Sequence, residues 1–295
     1  MMQLIEDNYE QILGHCVKDN ASPIDLTNAG FIDPYGMVSL LEIGEFLKLQ
    51  GIRKTIYLPD SEEVLKYLER MDFFRFAEDY FDLEWGLSQI YGPKAVESGL
   101  SPLSERYHRS HNSDVLLEIT PIEKSDDIHF IVGKVKERSH SILAKHLHYD
   151  DKAINGFIVA LSEVCQNIIE HSENKGFAGI QKYHFQNIDK NVVKIAVMDI
   201  GRGFRKSLSE RFSLKDDFHA IEKALLHGAS RYADEGRGHG LAAVKRFVSQ
   251  WNGKLSIRSG TAKLSIIPDW SWGKEKEINL APFPGAQISI MLPEI

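Results

Sequence analysis

Little in this sequence suits a secreted scaffold, a membrane span or a nucleic-acid clamp. Only two cysteines, Cys16 and Cys165, occur in 295 residues. A disulfide framework of the kind that staples small secreted domains needs several pairs. Spacing does not forbid a bond between these two, but Cys165 sits in an apolar helical run, where a thiol behaves as a small core hydrophobe. No run of about 18 apolar residues occurs, the length a membrane-crossing helix needs. The opening MMQLIEDNYEQ carries acids and no apolar h-region, so it does not read as a secretory signal and a cytoplasmic location is expected. Basic residues are not in excess: 35 Lys and Arg stand against 42 Asp and Glu, giving a formal charge of -7 and a pI near 6.0. Neutralising nucleic-acid phosphates takes clustered cations, so a nucleic-acid partner is not expected. Internal repeats and low-complexity tracts are missing as well, which sets repeat architectures aside.

What remains is an ordinary globular composition, 43% hydrophobic and 26% charged, in a chain long enough for two domains with a core each. Strand and helix signals alternate from the start. Ile24-Asp25-Leu26 reads as a strand and Asn28-Ala29-Gly30 as a turn. Phe31-Ile32 leads into Asp33-Pro34-Tyr35-Gly36, ahead of a helix with the apolar stripe Met37, Leu40, Leu41, Phe46 and Leu47. Gly51 falls just past that helix, a common stop. A strand over 54–58 and a helix holding Val64, Leu65 and Leu68, for which a capping box is expected at Ser61, complete a small α/β domain over 1–85. A short helix is expected near 80–90. Residues 86–112, with Gly92, Pro93, Gly99, Pro102 and a polar run, read as a linker, and His108 and His111 as part of its solvated surface. The second domain is placed at 113–295. Strands are expected over 115–119, 179–186, 192–199, 254–259, 262–267 and 286–292, and helices over 122–146, 152–171 and 241–251, with helical pieces near 220–226. Strands in a run beside a few helices suggest helices on one face of a mixed sheet.

Three short boxes fall within the second domain. Glu163 and Asn167 lie four apart in FIVALSEVCQNIIEHS. On a helix they stand one above the other, opposite Ile154, Ile158, Leu161, Cys165 and Ile168. A neutral amide oxygen suits a Mg²⁺ ion held mainly by phosphates and water, and a carboxylate can orient or deprotonate an attacking water or hydroxyl. The same positions also suit a solvated helix face. Asp199 ends the apolar run VVKIAVM and enters Gly201-Arg202-Gly203. A carboxylate there can accept from the adenine N6 amino group, and the glycines admit close backbone approach; an acid capping a strand-to-loop turn gives the same pattern. Gly236, Gly238 and Gly240 stand directly before the helix expected at 241–251. Backbone N–H groups and a helix N-terminus form an anion cradle in that setting. A dinucleotide fingerprint is set aside, because no strand immediately precedes and the spacing is G-x-G-x-G.

In this order the boxes resemble the N, G1 and G2 boxes of the GHKL ATPases, the gyrase and histidine-kinase relatives, and within that group the anti-sigma-factor and histidine-kinase-like branch. The resemblance implies a Bergerat-type α/β sandwich that binds ATP with Mg²⁺. Asn167 would be the metal ligand and Glu163 the catalytic base. Asp199, Gly201, Gly203, Gly236, Gly238 and Gly240 would line the nucleotide with Asn167. Residues 204–235 would form the ATP lid, in which Arg205, Lys206, Arg211, Lys215, Lys223 and Arg231 are the cations able to reach the γ-phosphate. Ala286 stands where the family carries a threonine that assists adenine binding through water. The first domain resembles a STAS domain, the fold of anti-sigma-factor antagonists, with Tyr35 at the position of their phosphorylated serine. The implied function is an ATPase or Ser/Thr protein kinase switch that works with another regulatory protein, of STAS or sigma/anti-sigma type; a non-catalytic nucleotide-sensing interaction module is the other reading. No dimerisation helix pair with a phosphoacceptor His-Glu motif precedes the second domain, which argues against a two-component histidine kinase. Homodimer formation is left open by the sequence.

Overall fold

Alternating strand and helix signals in the first unit produce parallel pairing. The computed structural model describes residues 2–19, 22–85, 114–229 and 240–295, and contacts divide the chain into Met1–Asn112 and Ser113–Ile295. In the first unit β1 (Met2–Leu4) is followed by α1 (Tyr9–Lys18), β2 (Ile24–Asp25), β3 (Ala29–Ile32), α2 (Pro34–Leu49), β4 (Lys54–Tyr57), α3 (Glu62–Arg70), α4 (Phe73–Ala77) and β5 (Phe81–Glu84). β1 pairs with β3, and β2, β4 and β5 form a second sheet in that order, every pair parallel. Parallel neighbours need crossovers, and the helices supply them.

Local chemistry sets the boundaries. Asp33 caps α2, its carboxylate accepting from Gly36 N at 2.9 Å with Pro34 in the first turn, so the helix begins within the expected turn and not after it. Gly51, at φ +73°, follows its end. Ser61 Oγ accepts from Val64 N at 3.4 Å and caps α3 without a reciprocal partner, since valine holds the place where a capping box needs an acid. The helix expected near 80–90 is not what the described part of that stretch forms: 81–84 is a strand, with Phe81 buried at 1% exposure. Tyr35 is buried, edge-on against Tyr9.

The second unit runs β6 (Val115–Ile122), α5 (Ser125–Ser139), a π-helical turn His140–Ala144 that carries the helix on to Leu147, α6 (Asp151–Asn167), β7 (Gly176–Phe185), β8 (Lys190–Asp199), α7 (Gly203–Leu208), α8 (Asp217–His227), α9 (Gly240–Gln250), β9 (Lys254–Gly260), β10 (Ala262–Ile266), β11 (Lys276–Glu277) and β12 (Phe283–Pro293). The strand order is β11-β10-β9-β12-β8-β7-β6. Every adjacent pair is antiparallel, which corrects the expected mixed sheet. Two long helices separate β6 from β7, as the helical stretches expected over 122–146 and 152–171 require. A helix pair returns the chain to the end of the sheet where β6 finished, so β7 must run back. Hairpins fix β7–β8 and β9–β10, and β12 enters between β8 and β9 running against both. β6 also runs three residues beyond its expected end, because Thr120, Pro121 and Ile122 still pair with β7.

The helices cover one sheet face. Ile180, Val193, Ile195, Val197, Leu255, Ile257, Ile288 and Ile290 form one cluster with Ile131, Val135, Phe157, Leu161, Val164, Val244 and Val248. These strand residues are two apart, as one face of a strand requires. The alternate positions are more polar and include Gln181, Ser256, Arg258, Gln287 and Ser289. Asp150 starts α6 by accepting from Ala153 N at 2.7 Å, a cap that contributes about 1 kcal/mol. Cys16 and Cys165 are both buried free thiols. Among the described residues no helix is long and apolar enough to cross a membrane.

Candidate functional site

Where α6 meets the ends of β8 and β12 the core opens into a cavity of about 380 Å³, a size that takes a small ligand. Glu163, Asn167, Asp199, Gly203 and Gly240 all line it. Gly201 is not among the lining residues, and Gly236 and Gly238 lie outside the described residues, as do Arg231, Arg237 and His239.

Helix α6 presents the first two side chains. Its apolar face packs into the core through Ile154, Phe157, Leu161 and Cys165, which leaves Glu163 and Asn167 on the cavity side. Directly after Asn167 the helix widens into a π turn, Ile168–Ser172, ending at Glu173 with φ +61°. One extra residue per turn breaks the 100° spacing, so Glu170, His171 and Ser172 all reach the cavity wall. Gln166 Nε2 donates to Glu170 Oε1 at 3.0 Å across that turn. Glu163 lies against the first residue of α9: a Cβ on Gly240 would collide with its carboxylate.

Asp199 closes β8 on the opposite side of the cavity and is 6% exposed. Its Oδ1 accepts from Gly201 N at 2.7 Å. Burial pushes its carboxyl up to about 6, against the pull of the Ser172 hydroxyl beside it and of the Gly201 and Ala286 N–H groups. Relative to the ordinary value of 3.8 this costs the ionised form roughly 3 kcal/mol. The folded protein therefore holds a proton that the unfolded chain has released between about pH 4 and 6. Its stability contribution falls as pH rises through that window and is level above it.

The backbone carrying Asp199 is braced from two sides. Gln287 Nε2 donates to the Asp199 carbonyl at 3.2 Å and to Pro284 O at 2.9 Å, and Arg258 Nη1 donates to Gln287 Oε1 at 3.3 Å. Gly201 is fixed by crowding, since a Cβ there would collide with the carbonyl and hydroxyl of Ser172, whose carbonyl accepts from Arg202 N at 3.0 Å. Gly203 is fixed by its φ of +69°. Ser259 ties this loop to β12, accepting from Phe204 N at 3.2 Å and donating to Gly285 O at 2.6 Å.

Three residues of the cavity wall carry buried polar atoms. Asn167 Nδ2, Ser172 Oγ and Ser207 Oγ are buried and complete no hydrogen bond of good geometry within the protein. Sequence reasoning missed the two serines: Ser172 falls outside the four-residue spacing of Glu163 and Asn167, and Ser207 belongs to a stretch taken for a lid. Apolar side chains, among them Ile168, Val197, Leu208, Leu241 and Ile288, supply the rest of the wall. The cations of 204–235 that the structure describes are mostly engaged locally. Arg205 Nη2 donates to Lys215 O at 3.3 Å, and Lys223 and Arg211 sit over the Phe212 ring.

An antiparallel sheet covered on one face by helices, with a carboxylate at a strand end and an amide on the facing helix, defines an α/β sandwich with a cavity beside the helix layer. Residues 154–293 match the family model described as histidine kinase-, DNA gyrase B-, and HSP90-like ATPase. The second unit therefore carries a GHKL-type ATPase domain, and β6 and α5 precede the matched stretch. A comparison with curated proteins found none that matches the chain. Domains of this family bind ATP, and their chemistry is that of regulatory ATPases and kinases.

Proposed function

We propose that the second unit binds ATP with Mg²⁺ and acts as an ATPase or Ser/Thr protein kinase switch of the anti-sigma-factor type. The observation that carries this reading is the convergence of Asn167, Glu163 and Asp199 on one cavity that also holds unsatisfied polar atoms. Asp199 accepts the adenine N6 amino group; guanine has an acceptor there and would meet the carboxylate unfavourably. The apolar walls hold the flat base. Gly201 and Gly203 shape the turn that presents Asp199, and Gly236, Gly238 and Gly240 lead into the α9 N-terminus, which favours phosphate.

The metal fits the donors present. Among the described residues no group of three or more His, Cys, Asp or Glu could cage an ion. Mg²⁺ needs no such cage, since it binds through few protein ligands plus phosphates and water. Asn167, which lines the cavity, would hold it through the neutral amide oxygen. When bound, the ion would neutralise charge on the phosphates. Glu163, one helical turn earlier, orients and deprotonates the attacking water or hydroxyl. The first unit, which we read as a STAS-like domain, would meet a regulatory partner through its fold, not through a phosphorylated serine, since Tyr35 is buried in that place.

The test is to incubate the full chain with Mg-ATP labelled at the γ-phosphate, with and without cell extract. Label in free phosphate identifies an ATPase, and label on serine or threonine of a small protein identifies a kinase. Binding with the label retained in ATP supports the sensor reading instead, and no binding overturns the proposal.

The titration of Asp199 adds a pH dependence. The ionised carboxylate is the stronger acceptor for an amino donor, so binding draws a proton off the group that burial holds near 6. Affinity for ATP should be level above about pH 7 and about tenfold weaker at pH 5. Calorimetry across pH 5–8 checks this. The control is the triphosphate of purine riboside, which shares the phosphates but lacks the N6 amino group and should not show this loss. Equal slopes for the two ligands would remove Asp199 from base recognition.

A further inference from the structure

We infer that Ser172 is a specificity-determining residue: its hydroxyl donates to N1 of the adenine ring, next to the amino group taken by Asp199. The inference rests on the nucleotide reading above and deepens it. Ser172 ends the π turn, is 4% exposed and lines the cavity, with its Oγ packed beside Gly201. The hydroxyl lies beside the Asp199 carboxyl and helps hold its pKa down, yet it completes no hydrogen bond of good geometry with the protein, so it can turn to a ligand acceptor once the base amino group takes the carboxylate. The carboxylate is served independently by the N–H groups of Gly201 and Ala286.

The two side chains then present an acceptor and a donor side by side. Adenine carries the complementary pair on adjacent atoms, the N6 donor and the N1 acceptor. Guanine carries the inverse, O6 as acceptor and N1–H as donor, so one edge accepts the first base and repels the second. Residue 286, which pairs with Asp199 across the strands, is alanine and offers no side-chain donor for this role. A buried hydroxyl left unsatisfied is costly, and ligand binding would relieve that cost. The position is also locked. Its carbonyl receives Arg202 N at 3.0 Å, and Gly201 packs against it, so the side chain can be changed while the main-chain contacts stay.

The experiment compares ATP with 1-deaza-ATP, in which N1 is replaced by C–H, by calorimetry on the full chain. The unmodified protein should bind ATP about tenfold more tightly than the analogue. Ser172→Ala should bind both equally, at the weaker level, and Ser172→Thr, which keeps the hydroxyl, should restore the preference. Thermal melting of each variant without nucleotide confirms the fold. An unchanged preference in Ser172→Ala would overturn the inference while leaving the nucleotide reading intact. Failure of the unmodified chain to bind either ligand would overturn both.

Discussion

Asp199→Asn is expected to weaken ATP binding at pH 7.5 by about a hundredfold or more, while the nucleotide-free protein keeps its fold. The asymmetry follows from what the carboxylate does in each state. In the empty protein it is a liability: burial at 6% exposure raises its pKa to about 6, and at neutral pH the ionised form carries that cost. Asparagine removes the charge and keeps one oxygen for Gly201 N, but it turns an amide N–H toward a pocket that offers donors from Gly201, Ala286 and Ser172. These two changes oppose each other, so the melting temperature should move by no more than about 5 °C. With ATP bound the balance is different. The amino group of the base loses its charged acceptor and meets a donor, which leaves two unsatisfied buried groups where there had been a charge-assisted bond. The rise in melting temperature that saturating Mg-ATP confers on the unmodified chain should disappear in the variant. An Asn variant that binds ATP within tenfold of the original would sink the assignment of Asp199.

The pairing of Asp199 with Asn167 was legible because it rests on short-range rules. Four residues on a helix fix the relation of Glu163 to Asn167 whatever the tertiary fold, and the end of an apolar strand is where the sheet hands the chain to a loop. The same rules placed β7 and β8 as antiparallel neighbours. What they could not supply were features set by tertiary contacts. Sheet polarity depends on how many helices intervene between strands, and counting α5 and α6 as a pair would have given an antiparallel answer. The strand 81–84 carries only two inward apolar residues, Phe81 and Leu83, too short a pattern to separate from a helical one without its partner β4. The π turn has no sequence signature, so ideal spacing aims Glu170 at the cavity but misses Ser172. The support of the Asp199 carbonyl by Gln287, and of Gln287 by Arg258, joins residues 88 and 29 positions apart, a relation invisible to any window along the chain.

Glu163→Gln should separate binding from chemistry. The substitution keeps the size of the side chain and its place on α6, so contacts that hold the nucleotide at Asp199 and the metal at Asn167 persist, and affinity for Mg-ATP should stay within about threefold. Turnover should fall by about a hundredfold or more, since an amide cannot take a proton from the attacking group. Geometry makes this residue the candidate: its carboxylate lies against Gly240, the first residue of α9, and it shares the cavity with Asn167 one helical turn away. A group placed there stands where the phosphate chain must end if the base is at Asp199, because the cavity runs from the strand end to the helix N-terminus. Phosphate release or protein labelling, followed in parallel with calorimetry, decides the matter. Equal turnover in the two proteins would mean that Glu163 only shapes the pocket. If the unmodified chain binds ATP and turns none over, the substitution should leave nucleotide-induced stabilisation unchanged, and the domain works as a sensor whose output is the bound state itself.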